Sequence, residues 1–325
     1  MKKRMEILRL KQRAAWSLAV IAALVISAFG ASAQRKSDDV QVAGREVTIL
    51  VTVHPHSDRT RRIAEQLQPG DFSVREEKRS QEIVSVKRAS EAPLILAVLI
   101  QDDLISRVNN EIKGIKEFIR RLPKGSRVMT GYLAVGDLSV TQEFTTDLER
   151  AASSLRVVRS SQVSAPFNPY LGVIAAARRF EDQPAGRRMI LLASDGLDAS
   201  RGLRDASPSL SLDLDRAIIE SQRRGVVVYG FYSPSTGLTS VSRLAVNYGQ
   251  GSLNRLADAT GGEAFFSGTT FVSFAPYFKE LGEFMGRQWL ITYRSSNADS
   301  GFRRIEVTTE QDVHLHYPVG YRVKD

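Results

Sequence analysis

The chain has no cysteine, and only four histidines and two tryptophans among its 325 residues. Without cysteine there are no disulfide staples, no thiol nucleophile and no Cys-ligated zinc. The absence fits an oxidising compartment without disulfides or simple avoidance. Four histidines leave little material for a Ser-His-Asp triad, and no Gly-x-Ser-x-Gly, Walker loop or His-Glu-x-x-His occurs. There is no internal repeat, no low-complexity segment and no aromatic-rich basic patch, so nucleic acid is not an expected partner.

What is present begins with a targeting signal. Lys2, Lys3, Arg4, Arg9, Lys11 and Arg13 form a basic start, Ala14 to Gly30 is an apolar run of 17 residues, and Ala31-Ser32-Ala33 is a small-x-small site. This pattern spells a secretory signal peptide over residues 1–33. The alternative is an uncleaved anchor, the one membrane contact the sequence suggests, because the run sits at the lower limit for a span. No cysteine follows it, which excludes a lipoprotein. The expected location is periplasmic or extracellular. Six Lys/Arg and one Glu leave with the signal, so five of the nine net positive charges go with it. The remaining +4 or so is a weak field.

Hydrophobic periodicity then divides the chain. Residues 34–45 read as a polar linker, and residues 46–90 as a small β unit opened by Val47, Ile49, Val51 and Val53 at period two. From residue 91 to 296, buried strands alternate with helices. LILAVLI, RRMILLAS and VVVYGFY are continuous apolar runs, as strands covered on both faces should be. Helical spacing recurs over 108–122, 147–157, 169–180, 212–224, 253–259 and 274–287. VMTGYLAVGDLSVTQEF reads as a hairpin about Gly136-Asp137, and WLITY (289–293) as the last strand of this block. Residues 297–325 return to β character and are placed to pair with the N-terminal unit. The expected fold is α/β: a doubly wound, mostly parallel, Rossmann-like sheet with a small accessory β unit from the two chain ends.

In such a sheet, ligands bind at the carboxyl ends of the strands. Three loops leave those ends: Gln101 to Ser106, Ser164 to Asn168 and Ser194 to Asp198. Carboxylates with hydroxyl and amide oxygens on converging loops suit Mg²⁺ or Ca²⁺. The structural alternative is that Asp102 or Asp103 caps the following helix and Asp195 satisfies the turn before Gly196.

Several stretches together carry a resemblance. They are DFSVREEKRSQ, LAVLIQDD, MTGYLAVGDLSVTQEFTTDLERAASSLR, MILLASDGLD, RGVVVYGFY, LADATGGEAFF, VSFAPYFKEL and QWLITY, with FRRIEV and GYRV at the end. From about Val47 onward the chain resembles a von Willebrand factor type A domain, of the secreted bacterial branch called VWFA-related, acidobacterial type. The resemblance implies that fold, a protein-interaction role rather than an enzyme, and a metal-ion-dependent adhesion site. That site reads Asp-x-Ser-x-Ser on the first loop, Thr on the second and Asp on the third.

This chain departs from the pattern. With Ser106 as the last serine, Asp102 matches the Asp, but Leu104 replaces the middle Ser. With strand and helix setting the register, Gln101 takes the Asp position, Asp103 the first Ser and Ile105 the second. No threonine stands in the second loop, where Ser164 or Asn168 must substitute; only Asp195 matches cleanly. The candidate metal residues are Asp102, Asp103, Ser106 and Asp195, forming a degenerate site, and no catalytic residue is assigned. The first functional expectation is an exported, non-enzymatic interaction module with a protein partner. The second is an adhesin bridged by Mg²⁺ or Ca²⁺ through Asp102, Asp103 and Asp195; a secreted hydrolase comes third.

Other features read as structural. His54-x-His56 and His314-x-His316 are taken as surface pairs. Gly249-x-Gly251 lacks the preceding strand and third glycine of a dinucleotide site. Arg187, Arg188, Arg223 and Arg224 read as solvated charges, and Trp289 with Phe265, Phe266, Phe271 and Tyr277 as core.

Overall fold

Every main-chain group of LILAVLIQ must find a partner once its side chains are buried on both sides, and a central parallel strand satisfies that demand. A computed structural model describes residues 44–323 except Glu91, Gly136, Ser267 and Thr269. The signal segment, nearly all of the expected linker and the glycine of the Gly136-Asp137 turn lie outside the described residues.

In chain order the first elements are β1 (Arg45–His54), α1 (Asp58–Gln66), β2 (Ser73–Glu76), β3 (Arg79–Ser80), β4 (Glu82–Arg88) and β5 (Leu94–Gln101). Next come α2 (Ile112–Arg120), β6 (Arg127–Ala134), β7 (Asp137–Thr145), α3 (Leu148–Ser153), α4 (Pro169–Arg178) and β8 (Arg187–Ser194). The chain continues through α5 (Leu212–Arg223), β9 (Val226–Tyr232), α6 (Arg243–Thr260), β10 (Ala264–Phe265) and α7 (Ala275–Gly286). It closes with β11 (Gln288–Ser295), β12 (Gly301–Thr308), β13 (His314–His316) and β14 (Gly320–Val323).

The central sheet has six strands in the order β10-β9-β8-β5-β6-β7, all parallel except β7. Alternate residues of β5 feed opposite cores. Leu94, Leu96, Val98 and Ile100 pack with α2, α3 and α7, while Ile95, Ala97 and Leu99 pack with α4, α5 and α6. Each of the leucine, isoleucine and valine side chains, fully buried, contributes roughly 1.5–3 kcal/mol. The sheet is therefore doubly wound. Its order reverses between β5 and β8, which opens a crevice at their carboxyl ends.

Two four-stranded sheets, β13-β1-β11-β4 and β14-β12-β2-β3, form the accessory unit. Both chain ends build it: β12 pairs with β2, and β13 pairs with β1. Val47, Ile49, Val51, Trp289, Ile291 and Ile305 share its core. Leu50 and Leu290, partners across β1 and β11, face the other way onto the α/β core.

Three expectations need correction. WLITY does not close the α/β block; as β11 it runs antiparallel between β1 and β4. Its Trp289, Ile291 and Tyr293 face the accessory core at period two, the mark of a sheet packed on another sheet. Arg187 is no solvated charge. It is buried and donates to Gln288 Oε1, Ala89 O and Met285 O, tying β8 to the accessory unit. Burial lowers its pKa to about 10, so the guanidinium stays charged at neutral pH. Nor does helix 253–259 stand alone: it is the end of the 18-residue α6.

Candidate functional site

The crevice at the carboxyl ends of β5 and β8 holds a pocket of about 510 Å³. Gln101, Asp103 and Asp195 form its floor, and Val163, Phe167 and Val241 stand in its wall. Asp103 and Asp195 are 2% and 4% exposed, whereas Val163 and Val241 are 86% and 83% exposed. An acidic floor thus lies beneath an apolar rim.

The floor is built around Gln101. Its Oε1 accepts from Ser194 Oγ at 2.6 Å and from the Asp195 amide at 3.2 Å. A backbone N–H can only donate, so the amide oxygen must face Asp195. The Gln101 Nε2 then points the other way and donates to Asp103 Oδ1 at 2.8 Å. Asp195 Oδ1 accepts from the Leu197 amide, and Oδ2 accepts from Thr239 Oγ1 at 3.0 Å. The turn role expected for Asp195 is therefore present. Burial first, then the charge of Asp195, pushes the Asp103 carboxyl up to about 6, partly offset by the Gln101 hydrogen bond. Burial likewise raises Asp195.

Four loops are knitted into this crest. Thr236 N donates to Asp103 O, and Ile105 N to Pro234 O. Ala199 N donates to Phe167 O, and Tyr170 Oη to Gly196 O at 2.6 Å. The loop after β9, residues 233–241, supplies Ser235, Thr236 and Thr239, which sequence reasoning missed. It carries no charge, and hydroxyls at a strand end give no distinctive pattern.

Only two of the four metal candidates meet. Asp102 is turned away: Arg156 grips it with Nη1–Oδ1 at 2.7 Å and Nη2–Oδ2 at 2.9 Å. Arg159 adds its backbone N at 3.0 Å and its Nε at 3.4 Å. The arrangement anchors the segment after α3 to β5, with the Arg156 guanidinium stacked 3.8 Å from the Tyr132 ring centroid. Ser106 is exposed and does not line the pocket. Ser164 donates to Ser161 O, and Asn168 caps α4 and donates to Asp213, so neither second-loop substitute reaches the floor. From the first loop, Gln101 and Asp103 line the pocket, and Asp102 and Ser106 do not.

The residues present do not make a shell for Mg²⁺ or Ca²⁺. Such a cation takes six or more oxygen ligands. Here Gln101 stands where the pattern would put a carboxylate: its N–H₂ is a donor aimed at Asp103, and its Oε1 already accepts from Ser194 and Asp195. Among the described residues, no three or more His, Asp or Glu side chains are grouped as a metal site requires.

The histidine pairs do approach one another: His54 lies opposite His314 across β1 and β13, and its ring centroid is 5.6 Å from that of His316. Burial, then His316 and His314, lowers His54 to about 4. Gly249 sits inside α6 against the Asp195 carbonyl, a packing role rather than a nucleotide one.

No family model matches the chain, and no curated protein matches it. Among solved structures it is similar to an aerotolerance-related membrane protein from Bacteroides fragilis, at 14% identity and a TM-score of 0.41, over 60% of this chain and 98% of that one. It is also similar to the conserved hypothetical protein BatB from Bacteroides thetaiotaomicron, at 15% identity and a TM-score of 0.39, over 60% of this chain and 97% of that one. A third is the human COPII-coat protein Sec24c, at 6% identity and a TM-score of 0.39, over 71% of this chain and 44% of that one.

Proposed function

We propose that this chain is an exported, non-enzymatic interaction module of the von Willebrand factor type A kind, which engages a protein partner through the pocket at the β5–β8 switch point. The observation that carries the proposal is the exposed apolar rim on that pocket. Val163, Phe167, Leu238 and Val241 are 86%, 58%, 40% and 83% exposed, and all four line the one pocket. Scattered surface apolar residues need no explanation, but a contiguous group around a preformed crevice marks an interaction site. The polar groups below support binding over chemistry. Among the described residues lining the pocket there is no histidine or lysine, and the Asp103 carboxylate is hydrogen-bonded to the Gln101 amide rather than to a hydroxyl nucleophile.

Export rests on the basic start, the apolar run and Ala31-Ser32-Ala33. No helix among the described residues is long and apolar enough to cross a membrane.

A photo-crosslinking amino acid at Val241, expressed in cells of the source organism, tests the proposal. Lys124, exposed on the turn just before β6 and so at the opposite end of the sheet, is the control position. A discrete protein adduct from position 241 alone is expected, and N-terminal sequencing of the recovered chain should begin at Gln34. Equal labelling from both positions, or none, removes the proposal.

A further inference from the structure

Two neighbouring carboxylates at the end of β5 have opposite fates. Asp102 is answered by Arg156 and Arg159. Asp103 faces the pocket with Asp195, and the described residues lining that pocket include no lysine, arginine or histidine. Among the described residues, the crest floor is left with two carboxylates and no cation of its own. Resting on the interaction-module reading above, we infer that the pocket receives a basic side chain, arginine or lysine, projecting from a partner protein. Asp103 and Asp195 meet its charge, and the rim of Val163, Phe167, Leu238 and Val241 covers the residues around it.

Charge complementarity selects this occupant. The usual alternative for a paired acidic floor is a metal, but the Gln101 amide points its N–H₂ at Asp103 and is held that way by the Asp195 N–H. With Gln101 unable to ligate and Asp102 held by Arg156, the floor offers a cation only Asp103 and Asp195, and two carboxylates suffice for an N–H donor. A basic side chain also fits the walls. Its aliphatic stem runs along apolar surface while its charged end reaches a polar base, the partition that lysine and arginine adopt by preference. One more polar atom awaits a partner there: the Thr236 hydroxyl is buried beside the pocket and has no hydrogen bond among the described residues. It is an acceptor for a further N–H. The rim argues for a protein rather than a free amine, since its exposed area extends past what a single small cation would cover.

The test titrates the full chain with N-butylguanidinium and with its neutral counterpart N-butylurea, followed by amide NMR shifts. Saturable shifts at Asp103, Thr236 and Gly237 are expected with the guanidinium only. Asp103→Asn and Asp195→Asn should each weaken binding at least tenfold, and both are near-isosteric replacements checked by thermal melts. Equal binding of the urea, no effect of either variant, or displacement by millimolar Mg²⁺ or Ca²⁺ overturns the inference. Should a variant not fold, the guanidinium–urea and metal-competition arms on the unaltered chain still decide. The Val241 adduct separates this inference from the reading beneath it. An adduct unchanged in Asp103→Asn and Asp195→Asn removes the basic side chain but keeps the crest partner; no adduct removes both.

Discussion

Asp103 carries an electrostatic cost that the fold retains. Its pKa rises from 3.8 to about 6, through burial and then the charge of Asp195. Between those two values the native state keeps a proton that the unfolded chain releases. Stability from this group is therefore full below about pH 4, falls as pH rises towards 6, and stays low above it. Asp103→Asn should leave stability nearly unchanged at pH 4 and add roughly 1–3 kcal/mol at pH 7. Urea melts of both chains across that range check this; a pH-independent difference would show that Asp103 is not under this strain. The same residue shows what the sequence could disclose. A carboxylate at the end of a buried strand was legible from LAVLIQDD. Which of the two adjacent aspartates faces the site was not, because the answer lies with Arg156, far along the chain, and nothing local to the strand pairs them. The Thr239 hydroxyl that meets Asp195 was equally silent, since hydroxyl residues after a strand are ordinary.

Elements were readable where burial imposed a simple period, and unreadable where it did not. The three central strands announced themselves as continuous apolar runs. Helix α1, DRTRRIAEQ, did not: only Thr60 and Ala64 are buried, so no apolar stripe marks it, although Ser57 and Thr60 form a reciprocal cap. Helix α6 begins ten residues before the expected 253–259, a start hidden because Gly249 and Gly251 weaken helix propensity within it. Gly249 has a reason to be there. A Cβ at this position would lie 2.0 Å from the Asp195 carbonyl oxygen, and one on Gly196, at φ +67°, would lie 2.3 Å from the Gly249 carbonyl oxygen. The helix and the acidic loop touch backbone to backbone, which fixes the height of Asp195 in the pocket floor. Neither backbone can swing aside as a side chain would. Gly249→Ala should thus cost about 1–3 kcal/mol by overpacking and move the 195–197 loop. A lower thermal midpoint together with altered amide signals of Asp195 and Leu197 is the expected result. An unperturbed loop would mean that α6 shifts as a rigid body instead.

At a larger scale, the α/β layer and the accessory sheets form one compact unit, although the sequence pattern divides them at residues 91 and 296. Strand β11 follows the last helix of the α/β layer directly, yet its backbone partners are β1 and β4. Arg187 at the start of β8 is buried against Ala89 O and Gln288. Glu76 on β2, 1% exposed, accepts hydroxyls from Tyr293 and Ser295 on β11 and from Tyr321 on β14. A chain of residues 91–296 alone would strip β11 of both neighbouring strands and remove one of the buried Arg187 acceptors. Exposing Trp289, Ile291 and Tyr293 would forgo roughly 1.5–3 kcal/mol each, a total comparable to the 5–15 kcal/mol by which a domain is stable. Residues 91–296 should accordingly be cut by trypsin at Arg287 or Arg294 under conditions where the full chain resists, and should unfold at much lower urea. Protection and cooperativity equal to those of the full chain would mean that the α/β layer stands alone. The distinction matters for the crest, because β5 and β8, whose ends carry Asp103 and Asp195, begin at the edge that Arg187 and Ala89 clamp to the accessory sheets. Loosening that clamp should therefore degrade the pocket from the far end of its own strands.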